Sequence, residues 1–229
     1  LMRKDNLEQP FAPIYNYALV TDAMEGLILV DINTLADGEF RNNRLTRALT
    51  WNPGGVLAGA RHVTIGGNVA YVIANAGLVI VDLTDPLAPK TLATVPLVQG
   101  RASALQFRYL FVTDSDGLKV VDVTQPAQAR MVPAATLPLA SARGVFAART
   151  YIYVADGARG LAIVDIERPE QPRLLMHYDA GGAIRDARDV VVASTNASLF
   201  AYVADGSGGL KVLQLTAPDS QPNFYGFSP

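Results

Sequence analysis

Short apolar runs of four to six residues, separated by small clusters of Asp, Asn, Gly and Ser, recur along this chain. Aligned on one glycine, they read YALVTDAMEGLILVDI (Gly26), YVIANAGLVIVDL (Gly77), YLFVTDSDGLKVVDV (Gly117), YIYVADGARGLAIVDI (Gly160) and YVADGSGGLKVLQL (Gly209). The intervals are 51, 40, 43 and 49 residues, and five positions after each glycine stands Asp31, Asp82, Asp122, Asp165 or Gln214. Runs rich in Val, Ile, Leu and Tyr, broken by turn formers, predict strand, turn, strand. A glycine after the polar cluster suits a turn with positive φ, where a Cβ would be strained. The second run, such as Leu78–Asp82 (LVIVD), is apolar at successive positions instead of alternating, so it must be covered on both faces.

A further strand precedes each unit except the first. RASALQF (Arg101–Phe107) reaches YLFVTD through a turn at Phe107-Arg108, and RHVTI (Arg61–Ile65), RGVFAA (Arg143–Ala148) and RDVVVA (Arg188–Ala193) do the same elsewhere. A fourth strand is expected after the Pro-containing bend, as in TLATVPL (Thr91–Leu97) and RLLMHY (Arg173–Tyr178). Four short antiparallel strands every 40 to 50 residues describe the blade of a β-propeller. The expected blades span 14–55 (partial), 56–99, 100–140, 141–181 and 182–229, with an insertion at 33–59. The first lacks an inner strand before Tyr17, and the last has a short or cut outer strand near PNFYGFSP. An unclosed propeller leaves pairing edges exposed, which points to part of a larger propeller. LMRKDNLEQPFAP lacks the apolar core of a signal peptide and opens on Leu1, so the expectation is a piece of a longer chain.

These residues carry a resemblance. LVIVD stands at Leu78–Asp82, its variants LILVD, LKVVD and LAIVD end at Asp31, Asp122 and Asp165, and ARDVVV followed by AYVADGSGGLKVL (Ala187–Leu213) looks like a whole half-blade. The chain resembles the LVIVD-repeat β-propellers. That resemblance implies a bacterial or archaeal envelope protein, periplasmic or at the cell surface, mostly without assigned chemistry. It also implies an occasional association with multihaem electron-transfer systems.

Composition narrows the function classes. Half the residues are hydrophobic and the formal net charge is -2, so nucleic acid and anionic membranes gain no bulk electrostatic attraction. Without cysteine, the chain has no thiolate nucleophile, disulfide, cysteine-ligated zinc or covalently attached haem. No apolar run approaches the roughly 18–20 residues of a membrane-spanning helix. No cofactor is expected.

The candidate site residues each admit two readings. Arg61, Arg101, Arg143 and Arg188 each open the first strand of a blade, and together they would suit a carboxylate, a phosphate or an acidic loop. In the structural reading each pairs across the hairpin: Arg61 with Asn75, Arg101 with Asp114, Arg143 with Asp156 and Arg188 with Asp205. Asp114 and Asp116 resemble the opening of a calcium loop but lack its later acidic ligand, which favours solvated turn acids. The recurrent Asp31, Asp82, Asp122 and Asp165 precede bends, where carboxylates bond the turn backbone. His62 and His177 fall in different blades, which disfavours a shared metal. RNNRLTRALTW, with Arg41, Arg44, Arg47 and Trp51, reads as a short helix or decorated loop, either packed on its own blade or presented to a partner.

The leading expectation is a non-enzymatic scaffold for protein–protein interaction, contacting protein partners, further blades or a multihaem cytochrome. The rivals are a ligand-binding, hydrolytic or redox propeller with its site at the channel mouth, and a structural subunit beside a multihaem cytochrome.

Overall fold

The computed structural model describes residues 13–35, 37–194 and 198–216. They form five antiparallel sheets of three or four strands. By packing, the described residues divide into two compact units. One runs to Gly100 and includes Val123–Arg130; the other comprises Arg101–Asp122 and the residues from Met131 onward.

The first unit holds two sheets. Strands β1 (Tyr17–Asp22), β2 (Gly26–Asp31) and β3 (Thr46–Trp51) make the first; β4 (His62–Gly66), β5 (Val69–Ala74), β6 (Gly77–Asp82) and β7 (Lys90–Val95) make the second. Arg41–Trp51, read from sequence as a short helix or a decorated loop, is loop up to Leu45 and strand from Thr46. Only Phe40–Asn42 forms a single 3-10 turn, and Thr46–Trp51 pairs antiparallel with β2. A register shift at Leu29/Val30 of the β2–β3 pair recurs at Ile80/Val81 between β6 and β7. It therefore marks β3 as the fourth strand of a blade that has no first strand among the described residues. The long interval is a long loop before that strand. Leu27, Leu29, Leu49 and Trp51 share one core with Ala70, Val72, Val79 and Val81 of the next blade.

The second unit holds three sheets. Strands β8 (Ala102–Gln106), β9 (Tyr109–Thr113), β10 (Gly117–Asp122) and β11 (Arg130–Pro138) form the third blade. The fourth is β12 (Val145–Ala148), β13 (Tyr151–Ala155), β14 (Leu161–Asp165) and β15 (Arg173–Tyr178); the fifth is β16 (Asp189–Ser194), β17 (Leu199–Ala204) and β18 (Leu210–Thr216). The outer strand expected beyond β18 lies outside the described residues. β12 lies beside both β8 and β16, so the first strands of these blades are neighbours. Phe111, Leu118 and Val120 pack with Ile152, Val154 and Val164 between the third and fourth blades. Tyr153, Ala155 and Leu161 pack with Val190, Val192, Ala201 and Val203 between the fourth and fifth. Within each unit, the unbroken apolar run of a blade is thus covered where the next blade packs on it.

All five aligned glycines have positive φ, from +75° at Gly209 to +135° at Gly117. At Gly160 a Cβ would also lie 2.3 Å from the carbonyl oxygen of Tyr178, so the outer strand's approach demands glycine a second time.

Candidate functional site

The recurrent acids that end the third strand are structural. Asp31 Oδ1 accepts the amide of Asn33 at 2.9 Å, Asp82 Oδ1 that of Thr84 at 2.8 Å and Asp165 Oδ1 that of Glu167 at 2.9 Å. The Thr84 hydroxyl and amide hold the Asp82 carboxyl below its ordinary range; the Glu167 amide and Arg173 do the same for Asp165. These are the Asx turns that the sequence pattern predicts.

A second set of acids follows the second strand, and it is less regular. Asp114, Asp156 and Asp205 directly follow β9, β13 and β17, and all three are buried. Asp156 Oδ1 accepts the Ser141 amide at 2.6 Å, while Oδ2 lies 3.0 Å from His177 Nε2. Asp205 Oδ1 accepts two amides, from Arg185 at 2.8 Å and Asp186 at 2.6 Å. Ser141, Arg185 and Asp186 belong to the links that lead into the first strand of the acid's own blade. Their N–H groups have no ladder partner, so a buried carboxylate satisfies them.

That arrangement corrects the expected arginine pairs. Arg61 does donate through Nη2 to Asn75 Oδ1. Arg101 Nη1 instead donates to the Ala142 carbonyl at 2.6 Å. Arg143 Nη1 and Arg188 Nε both reach Asp186, at 2.8 Å each, and occupy its two oxygens. The hairpin does bring each arginine beside the following acid, but Asp156 and Asp205 are turned toward the link amides. Arg188, with Arg143 behind it, holds the Asp186 carboxyl below its ordinary range.

The residue five or six places after these acids differs from blade to blade. In the third blade Lys119 Nζ stands between Asp114 Oδ2 at 2.6 Å and Asp116 Oδ2 at 2.7 Å, so the chain supplies the cation that a calcium ion would bring. Burial works against that ammonium, but its hydrogen bonds to the two carboxylates raise its pKa overall. In the fourth blade the matching position is Ala162, and its cross-strand partner His177 reaches the acid instead. The His177–Asp156 contact was missed from sequence; an alanine where the third and fifth blades carry lysine was the available signal. Among the described residues no cluster of three or more His, Asp or Glu could hold a metal. His62 lies on β4 and His177 on β15.

In the fifth blade the matching residue is Lys211, and the surroundings are open. Ala183, Arg185, Asp186, Asp205, Ser207, Gly208 and Lys211 line a cleft of about 450 Å³.

Within the loop before β3, Arg41 and Arg44 are exposed, and Phe40 beside them is 85% exposed. Arg47 forms an ion pair with Glu25, and Trp51 is packed against its own blade.

The geometry defines an all-β protein built of propeller blades, and comparison with known proteins agrees. The LVIVD repeat matches residues 15–37, 59–95, 104–133, 141–180 and 184–226, and the chain belongs to that family. Among curated proteins none matches. A gluconolactonase from Xanthomonas campestris is similar at 14% identity and a TM-score of 0.61, over 87% of this chain and 69% of that one. BamB from Moraxella catarrhalis is similar at 13% identity and a TM-score of 0.56, over 86% of this chain and 54% of that one. The computationally designed Ika8 protein matches at 12% identity and a TM-score of 0.61, over 87% of this chain and 56% of that one. The chain thus spans little more than half the length of two of these structures, and at such identities the likeness concerns the fold alone. Among the described residues no helix is long and apolar enough to cross a membrane.

Proposed function

We propose that this chain is a non-enzymatic interaction scaffold of an envelope or extracellular assembly, and that its fifth blade receives a further blade of the same kind. The observation that carries this is a comparison within the chain. Tyr153, Leu161 and Ile163 of the fourth blade pack in the core formed with the fifth. Their counterparts in the repeat, Tyr202, Leu210 and Val212, are 37%, 65% and 54% exposed. Val191, the counterpart of Phe146, is exposed on the same face, in register with Tyr202 and Val212. An apolar sheet face of this composition suits a docking surface, and the covering of the fourth blade's matching face by the fifth supports a further blade as its occupant. The partner is therefore a β-sheet presenting small and branched apolar side chains, as Val190, Val192 and Ala201 do.

Sedimentation velocity over a concentration series tests the reading, with a second copy supplying the blade. Wild-type protein is expected to self-associate, and the double variant Tyr202→Lys, Val212→Lys to remain monomeric with an unchanged far-ultraviolet spectrum. A wild-type chain that stays monomeric at all concentrations would refute the docking face.

The loop before β3 offers a second contact, since Phe40 with Arg41 and Arg44 combines the residue types that anchor interfaces. Location in the periplasm or at the cell surface belongs to the same reading and is supported by the family resemblance.

A further inference from the structure

The cleft beside Lys211 stands apart from the docking face and does not depend on it. The two lysines at this repeat position begin from nearly identical sequences, Leu118-Lys119-Val120 and Leu210-Lys211-Val212. Lys119 is closed off by two carboxylates, Asp114 and Asp116. In the fifth blade the counterpart of Asp116 is Gly208, one residue before the aligned glycine. Asp205, the counterpart of Asp114, commits Oδ1 to the Arg185 and Asp186 amides. Among the described residues the Lys211 ammonium makes no hydrogen bond or ion pair, and it acts on Asp205 only through space.

The other groups in the cleft complete the picture. Arg185 spends Nε on the Gly182 carbonyl and has no carboxylate partner among the described residues. Asp186 is already shared by Arg143 and Arg188, so it does not neutralise Lys211. Ser207 contributes a hydroxyl on the cleft wall, and Gly208 leaves that wall without a side chain. A free ammonium, a guanidinium and a hydroxyl thus share one concavity, at the place where the third blade keeps a carboxylate of its own.

We infer that this cleft binds an exogenous carboxylate, which takes against Lys211 and Arg185 the place that Asp116 holds against Lys119. A carboxylate is favoured over other anions because the chain itself solves the same problem with one. The cleft volume of about 450 Å³ exceeds a carboxylate alone and leaves room for the molecule that carries it. Two sources share this chemistry, a small free acid and an acidic side chain of a peptide.

Titration of ¹⁵N-labelled protein with succinate, and separately with a terminally blocked peptide containing one glutamate, tests the inference. In wild-type protein the amides of Arg185, Ser207 and Gly208 are expected to shift saturably with at least one probe, and the probe that saturates identifies the source. Lys211→Gln is expected to weaken that binding by about tenfold or more. Ser207→Asp supplies an internal carboxylate on an exposed loop and is expected to do the same. Unchanged amide positions in β13 would show that both variants remain folded. No saturable shift with either probe, or equal affinity in wild-type protein and both variants, would overturn the site.

Discussion

At the scale of single residues, the repeat asks different things of the same amino acid in different blades. Gly160 and Gly209 align and both have positive φ, yet only Gly160 has an outer-strand carbonyl pressed against it among the described residues. Gly209→Ala is expected to cost about 1 kcal/mol from backbone strain alone, and Gly160→Ala at least about 2–3 kcal/mol, measured by urea denaturation. The acids divide in the same way. The Asp205 carboxyl is held below its ordinary value chiefly by the Asp186 amide, and also by the Arg185 amide and Lys211. A depressed folded value means that the unfolded chain binds the proton more readily. The stabilisation is therefore complete above the unfolded value of about 3.9 and is lost as pH falls through the lower folded value. Acid should thus release the link into β16 only as pH falls below about 3.9 and through the lower folded value, seen as loss of hydrogen-exchange protection at the Arg185 and Asp186 amides. In Asp205→Asn that protection is expected to be weaker at neutral pH and to change less with acid.

At the scale of elements, β3 shows where sequence pattern ends and tertiary pairing begins. Arg41, Arg44 and Arg47 at three-residue spacing, with Leu45, Ala48 and Leu49 between them, mimic a helix face. What decides the outcome is the open edge of β2, whose Leu27 and Leu29 sit opposite Trp51 and Leu49 and draw both side chains into the core. Such an edge is invisible to a local window, because its partner lies some twenty residues away. The strands and turns were legible because their glycines and turn acids are local requirements, the glycine repeated in all five copies and the acid in four. The Arg61–Asn75 pair was legible too, but the partners of Arg143 and Arg188 were not, because backbone amides outcompete guanidinium groups for the acids that follow β13 and β17. Trp51→Ala is expected to destabilise by about 2–3 kcal/mol, as a half-buried aromatic would. Arg41→Ala and Arg44→Ala should remain within about 0.5 kcal/mol in the same thermal or urea measurement. If Trp51→Ala were neutral, β3 would contribute nothing to the blade's core.

At the scale of the whole molecule, stability in a chain of repeats is close to a sum of blade terms and neighbour interfaces. The fourth blade is covered on one face by the core with Phe111 and Leu118, and on the other by the core with Val190 and Ala201. Among the described residues the fifth has only the second of these interfaces, and its other face exposes Val191, Tyr202, Leu210 and Val212. It should therefore open first. Native-state hydrogen exchange is expected to show the amides of β17 exchanging through an opening of lower free energy than those of β13, with a smaller dependence on denaturant because less surface is exposed. Covering the free face should then raise the protection of β17 selectively, since an added interface stabilises the blade it touches. A single opening free energy shared by β13 and β17 would mean that the fifth blade is held as firmly as the fourth. The exposed face would then have no deficit for a docking blade to fill.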